Sequence, residues 1–180
     1  MILNFIKSIL HYELYILPIY IIIRIIYLRN KKIDVKREVI LLLFIFTIIM
    51  LLSQTILCEF HFNKSVYINK GIHNNNFIPF KIFYDSYISH IKYGNYTYFI
   101  INLLGNIILF IPIGFLLPYL YKIKCKTVIL IGFTLSLFIE LFQLFLPRWT
   151  DIDDIILNTF GTLIGYLLYK YCDKIYNREW

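Results

Sequence analysis

Ionisable and amide side chains recur at helical spacing inside otherwise aliphatic sequence in the second half of this chain. Asn102 and Asn106 are four apart. Gly132, Ser136, Glu140 and Gln143 follow at four, four and three. Asp154, Asn158, Gly161 and Gly165 continue the pattern, and Asp151 extends the last stripe backwards. Residues three or four apart share a helix face, so three segments each carry a narrow small-or-polar stripe. Between the second and third stripes lies "PRWTDIDDIILN", Pro147 to Asn158, with one arginine and three aspartates set against apolar runs. Carboxylates beside amides can hold a divalent cation or serve as a general base. A guanidinium offers a planar fork of donors that fits a carboxylate or phosphate. The simpler alternative is helix packing, in which small residues admit a close neighbour and amides hydrogen-bond across the gap.

The surrounding sequence says what must position these groups. Of the 180 residues, 59% are hydrophobic, and the mean hydropathy is +0.69. A bilayer span takes roughly 20 apolar residues of helix. Val39–Leu57, Phe99–Tyr121, Thr127–Leu146 and Ile152–Tyr171 meet that requirement. A shorter run, Leu14–Leu28, contains Arg24, whose stem can snorkel towards the basic cluster at Arg29–Lys32. The expected fold is an all-α integral membrane bundle of about five transmembrane helices. An outer loop, 58–98, is expected to run extended or irregular and then form a short amphipathic helix near Lys81–Tyr93. Its aromatic residues suit the headgroup level. No cleavable leader is expected at the N-terminus.

Charge placement orients the bundle. Arg29, Lys31, Lys32, Lys36 and Arg37 lie in the first loop, Lys122, Lys124 and Lys126 in the third, and Lys170, Lys174 and Arg178 in the tail. With five spans all three regions fall on one side, which the positive-inside rule makes cytoplasmic. The N-terminus is then outside and the C-terminus inside. The net charge of +7 is accounted for by topology and anionic lipid, with no call for nucleic acid. The three cysteines, Cys58, Cys125 and Cys172, fit neither a metal site nor a disulfide framework. His61, His73 and His90 match no ligand spacing and read as surface residues.

In this topology every strongly polar group of the last three spans falls in the outer half of the bilayer. Packing alone gives no reason for such one-sidedness. The expected site is an outer pocket lined by Asn102, Asn106, Glu140, Gln143, Arg148, Asp151, Asp153, Asp154 and Asn158. Glu140 lies about two turns inside its span, where an ionisable group costs roughly 2.5–3.5 kcal/mol on insertion scales. Arg148 is its candidate partner. Asp154 and Asn158 are expected to face Glu140 and Gln143. Thr150-x-x-Asp153 has the form of a capping box. Asp153 points about 100° away from Asp154, so it is expected to cap the helix or meet the outer loop near Pro79–Lys81.

Four blocks, "FIPFK", "NLLGNIILFIPIGFLLP", "SLFIELFQLFLPRWTDIDDIILN" and "GTLIGY", resemble the VanZ-like family of bacterial membrane proteins over about Phe77 to Tyr169. The motif positions here are Pro79, Asn102, Gly105, Asn106, Pro112, Gly114, Glu140, Gln143, Arg148, Asp151, Asp153, Asp154, Asn158 and Gly161. The resemblance implies three parts: two N-terminal spans and the start of the loop over 1–76, a VanZ-like domain over 77–171, and a cytoplasmic tail over 172–180. The family is named for a protein associated with low-level teicoplanin resistance. It therefore implies a place in the bacterial cell membrane and a role in glycopeptide or lipoglycopeptide tolerance. Membrane lipids, a lipid-linked envelope precursor or a lipoglycopeptide are the expected partners. A membrane-embedded hydrolase or transferase acting on a lipid-linked substrate is the alternative. No cofactor is expected beyond a divalent cation at Asp151, Asp154 and Glu140 in the enzyme reading. Proton transport through Glu140 is disfavoured, because five spans show no repeat symmetry.

Overall fold

A computed structural model of the chain describes residues 2–57, 75–84, 87–88, 97–146 and 150–176. The described residues are helical throughout, apart from short turns and a single bridge. There are five long helices: α1 Ile2–Leu28, α2 Val35–Thr55, α3 Thr97–Tyr121, α4 Cys125–Gln143 and α5 Ile152–Tyr176. Three of them contain stretches long and apolar enough to cross a membrane: Leu10–Leu28, Asn102–Tyr121 and Cys125–Gln143. The first helix begins well before Leu14, at Ile2, so Glu13 lies inside it. The short helix expected over Lys81–Tyr93 is seen as a helical turn at 81–84 and again at 87–88; the rest of it lies outside the described residues.

The chain divides into two compact units, Met1–Val66 and Tyr67–Trp180. In the first, α1 and α2 form an antiparallel hairpin. Asp34 caps α2 by accepting from the Arg37 N–H. One end of the hairpin is tied by Arg24, whose Nε and Nη2 donate to the two Glu38 oxygens at 2.6 and 2.8 Å. The other end is tied by the Tyr12 hydroxyl, which donates to Leu57 O at 2.6 Å. The seam on α2 is formed by Thr47, Ile49, Leu51 and Ser53, all buried. Leu14, Ile19, Ile22, Ile25 and Ile26 of α1 point outwards, as lipid-facing residues of a spanning helix do.

In the second unit α5 packs along both α3 and α4, which touch each other far less. Glycines set the closeness of these contacts. A Cβ on Gly161 or Gly165 would fall on the backbone oxygen of Ile107 or Ile111 in α3, and one on Gly114 would fall on Thr162 O in α5. Gly132 of α4 makes room for the Thr162 side chain, whereas a Cβ on Gly105 would meet open space. Around these contacts Phe110, Ile113, Val128 and Ile139 are almost wholly buried. Pro112 and Pro118 lie inside α3, where each removes one N–H from the helical ladder. The helix ends where Lys122 takes a φ of 51° and its N–H returns to Pro118 O at 2.8 Å.

Candidate functional site

The polar stripes of α3, α4 and α5 meet at the end of the second unit where α5 begins. Asp151 starts that helix: its Oδ1 accepts from the Asp153 N–H at 2.9 Å, and its carbonyl accepts from the Asp154 N–H at 3.1 Å. This is a side-chain N-cap, and it corrects the expected capping box at Thr150. Thr150 is turned inwards instead, 6% exposed, with its hydroxyl 3.5 Å from Glu140 O. A box places its cap three residues before its acid, but Thr150 lies outside the helix, its carbonyl accepting from the Asn76 N–H, and the chain turns helical only after Asp151.

Glu140 is 2% exposed, and its Oε2 accepts from the Asp151 N–H at 2.9 Å. A carboxylate from α4 therefore satisfies a donor at the positive end of the α5 dipole, where negative charge is favoured. Arg148, its expected partner, lies outside the described residues, as do His61, His73, His90 and Cys58.

The segment before the third helix closes over this end. The Asn76 N–H donates to Thr150 O at 2.9 Å, and the Ile152 N–H donates to Asn76 O at 3.0 Å, giving a one-pair parallel bridge between Asn76 and Asp151. The Asn76 amide donates to Asp151 Oδ1 at 2.8 Å, while its own oxygen accepts from the Ile78 N–H. Burial raises the Asp151 carboxyl above its ordinary range; the Asp153 N–H and the Asn76 amide oppose that rise, and the nearby Asp153 adds to it. Asp153 is 1% exposed. Its two oxygens accept from the Phe80 and Ile82 N–H groups, so it meets the segment beside Pro79–Lys81. Phe80 holds a φ of 64°, left-handed backbone that costs a non-glycine residue about 1–2 kcal/mol. Two bonds to a buried carboxylate, each about 1.5–3 kcal/mol, are enough to hold it there.

Deeper in the bundle, the pairing differs from the expected one. Asp154 turns to α3, where its Oδ1 accepts from the Asn106 amide. Asn158 turns to α4 but meets Ser136, donating to its hydroxyl at 2.8 Å. The cause is the rotation of α5: with Gly161 and Gly165 seated on α3, Asp154 comes round to that helix and Asn158 reaches α4 one turn lower than Glu140. Gln143 is buried near the end of α4. Asn102 is half-buried one turn from Asn106, and no hydrogen bond joins it to the set among the described residues. Sequence reasoning missed Asn76, and it read Ser136 as a packing residue. An asparagine run before a proline, "NNNFIP", is a signal for side-chain-to-backbone turns of the kind Asn76 makes.

Chemically, the end of the bundle is rich in acceptors, many of them engaged by backbone N–H groups. Among the described residues no group of three His, Cys, Asp or Glu side chains could hold a metal ion. A groove of about 490 Å³ lined by Leu130, Ile131, Thr134, Leu135 and Phe138 lies on α4, an apolar surface distinct from the polar cluster.

No curated protein and no solved structure matches the chain. The family model described as VanZ/LLP1 matches residues 38–173. That match reaches further towards the N-terminus than the motif blocks do, taking in α2. With most of its length covered, and membrane-type helices carrying the polar cluster, the chain belongs to the VanZ/LLP1 family of membrane proteins.

Proposed function

We propose that this is a five-span, multi-pass protein of the bacterial cell membrane, with its N-terminus outside and its C-terminus in the cytoplasm. It acts at the outer face, where the polar end of α3, α4 and α5 forms a pocket for a lipid-linked envelope precursor or a lipoglycopeptide. The outcome is tolerance to teicoplanin-like antibiotics. One observation carries the reading. The interactions of Asn106, Ser136, Glu140, Asp151, Asp153, Asp154 and Asn158 all lie towards the end where α5 begins, while Lys122, Lys124 and Lys126 mark the opposite end. The positive-inside rule supports an exterior location for the polar end. The association of the family's namesake with teicoplanin resistance supports the drug class.

Expression in a susceptible Gram-positive host tests the function. Tolerance should rise more for teicoplanin-like lipoglycopeptides than for vancomycin, and a well-expressed protein that changes neither overturns the reading. Single cysteines in a cysteine-free variant test the side. Those in 58–98 should react with an impermeant reagent on intact cells and those in 30–37 should not; the reverse pattern would move the pocket to the cytoplasm.

A further inference from the structure

Glu13 is the one buried side chain of α1 between residues 10 and 28. It is 5% exposed, and neither of its carboxyl oxygens has a hydrogen-bond partner. Its place along the hairpin follows from the two ties that hold α1 to α2. The Arg24–Glu38 pair marks the basic end, and Glu13 lies eleven residues from Arg24. At 1.5 Å per residue this is about 16 Å along α1, and the adjacent Tyr12 reaches Leu57 O at the other end of the hairpin. An ionisable group buried in a membrane-type helix marks a function unless it is paired.

Among the described residues no donor reaches the Glu13 oxygens. The Tyr12 hydroxyl is committed to Leu57 O. On α2, the helix packed against α1, the Ser53 and Thr55 hydroxyls donate to Met50 O and Leu51 O of their own helix, and the Gln54 amide donates to Ser53 Oγ. From Val39 to Thr55, α2 has no ionisable residue; its charged groups are Lys36, Arg37 and Glu38 at the far end. Among the described side chains of α1 the ionisable neighbours are His11, Tyr12, Tyr15, Tyr20 and Arg24; His11 and Tyr15 point outwards, the Tyr20 hydroxyl makes no hydrogen bond to Glu13, and Arg24 is taken by Glu38. A carboxylate here would be a buried charge with nothing among the described residues to balance it. The burial also leaves no access for a bulky cation or an organic amine.

We propose that Glu13 is a proton-binding site within the α1–α2 hairpin, occupied at neutral pH. One proton from water forms an O–H bond on a carboxyl oxygen, the negative charge is lost, and no other bond changes. This site is separate from the polar cluster of the second unit and does not depend on its function.

The test uses the full chain in lipid nanodiscs, with infrared spectroscopy of the C=O stretch of protonated carboxyl groups. At neutral pH the wild type should show one such band that Glu13→Gln lacks. Glu13→Gln should melt above wild type at that pH, because the unfolded wild-type chain gives up the proton that the folded state keeps, and the gap should shrink as pH falls. As pH rises until the proton leaves, the wild type should lose the band and melt earlier, while Glu13→Gln should not change. Absence of a Glu13-dependent band at neutral pH overturns the proposal whatever the melting curves show. Should Glu13→Gln fail to accumulate, Glu13→Asp carries the same test, since it must shift the band; an unshifted band refutes the assignment.

Discussion

Glu140 of α4 accepts a 2.9 Å hydrogen bond from the backbone N–H of Asp151, the residue that caps α5. Two helices are thereby joined through a charge placed against a helix N-terminus. The donor has no partner in its own helix, since the first N–H groups of any helix lack one. The acid has little access to water, at 2% exposure. Each group removes the other's cost of burial. The bond also fixes the level at which α5 starts relative to α4, and so the depth at which Asp154 and Asn158 enter the bundle.

Asp153 makes a comparable join to the segment ahead of α3. Its two oxygens hold two amides, those of Phe80 and Ile82. Asn can accept with one oxygen only, so Asp153→Asn leaves one of these donors unpaired and removes the charge. The expected loss is about 1–3 kcal/mol. Hydrogen exchange should show the Phe80 and Ile82 amides exchanging much faster in the variant while the α3–α5 contact keeps its protection. Unchanged protection at both amides would show that Asp153 does not hold them.

The glycines make a contrast within one protein. Gly161→Ala and Gly165→Ala drive a methyl onto the α3 backbone, where a rigid helix must move, while Gly105→Ala enters open space. Overpacking of this kind costs typically about 1–3 kcal/mol, and alanine is the better helix former at an unobstructed position. The first two variants should melt well below wild type, and Gly105→Ala should match or exceed it. Thermal unfolding in detergent checks the order.

Much of this arrangement was legible from residue spacing, and the limits are physical. The recurrence of Asn102 with Asn106 and of Ser136 with Glu140 says that each pair shares a helix face, and the matching depths say that the stripes belong to one end. Spacing does not say which neighbour a face meets. That depends on helix rotation, which the close contacts of Gly161 and Gly165 with α3 determine. So Asp154 pairs with Asn106, and Asn158 with Ser136, where adjacency alone suggested Glu140 and Gln143. The cap at Asp151 was missed because Thr150 and Asp151 are both good cap residues, and the bridge to Asn76 decides between them. Glu13 was missed because the apolar run begins only at Leu14, and nothing local shows that the preceding turns are helical.

Asp151 supplies a pH prediction whose sign can be worked out. Burial raises its carboxyl above the ordinary value of 3.8 in the folded protein. The folded state then binds its proton more readily than the unfolded state, so this group opposes folding at neutral pH and ceases to do so as pH falls through the raised value. Asn keeps the oxygen that caps the Asp153 N–H and is as good a cap, but carries no charge. Asp151→Asn should therefore melt above wild type at pH near 7, and the gap should shrink on acidification. A gap that widens at lower pH would reverse the sign and show the carboxylate to be net stabilising.

Asp154 tests whether the cluster is a site or a set of helix contacts. Its oxygen accepts from the Asn106 amide across the α3–α5 seam. Asp154→Asn retains an acceptor for that bond and removes only the charge, and Glu140→Gln likewise retains an oxygen for the Asp151 N–H. If the cluster only holds helices together, these variants should behave as wild type or fail to accumulate, and loss of function should follow loss of protein. If it binds a ligand through its charges, both should reach near-normal levels in the membrane and yet lose the tolerance phenotype. Arg148→Lys belongs with them, because an ammonium keeps the charge but not the fork of donors. Asn106→Leu is the control for structure: it takes the Asn106 donor from Asp154 and puts an apolar side chain against a half-buried carboxylate, so it should lower abundance and tolerance together. Immunoblotting of membranes beside teicoplanin susceptibility separates the two accounts. Tolerance that tracks protein level across all four variants would end the binding-site reading.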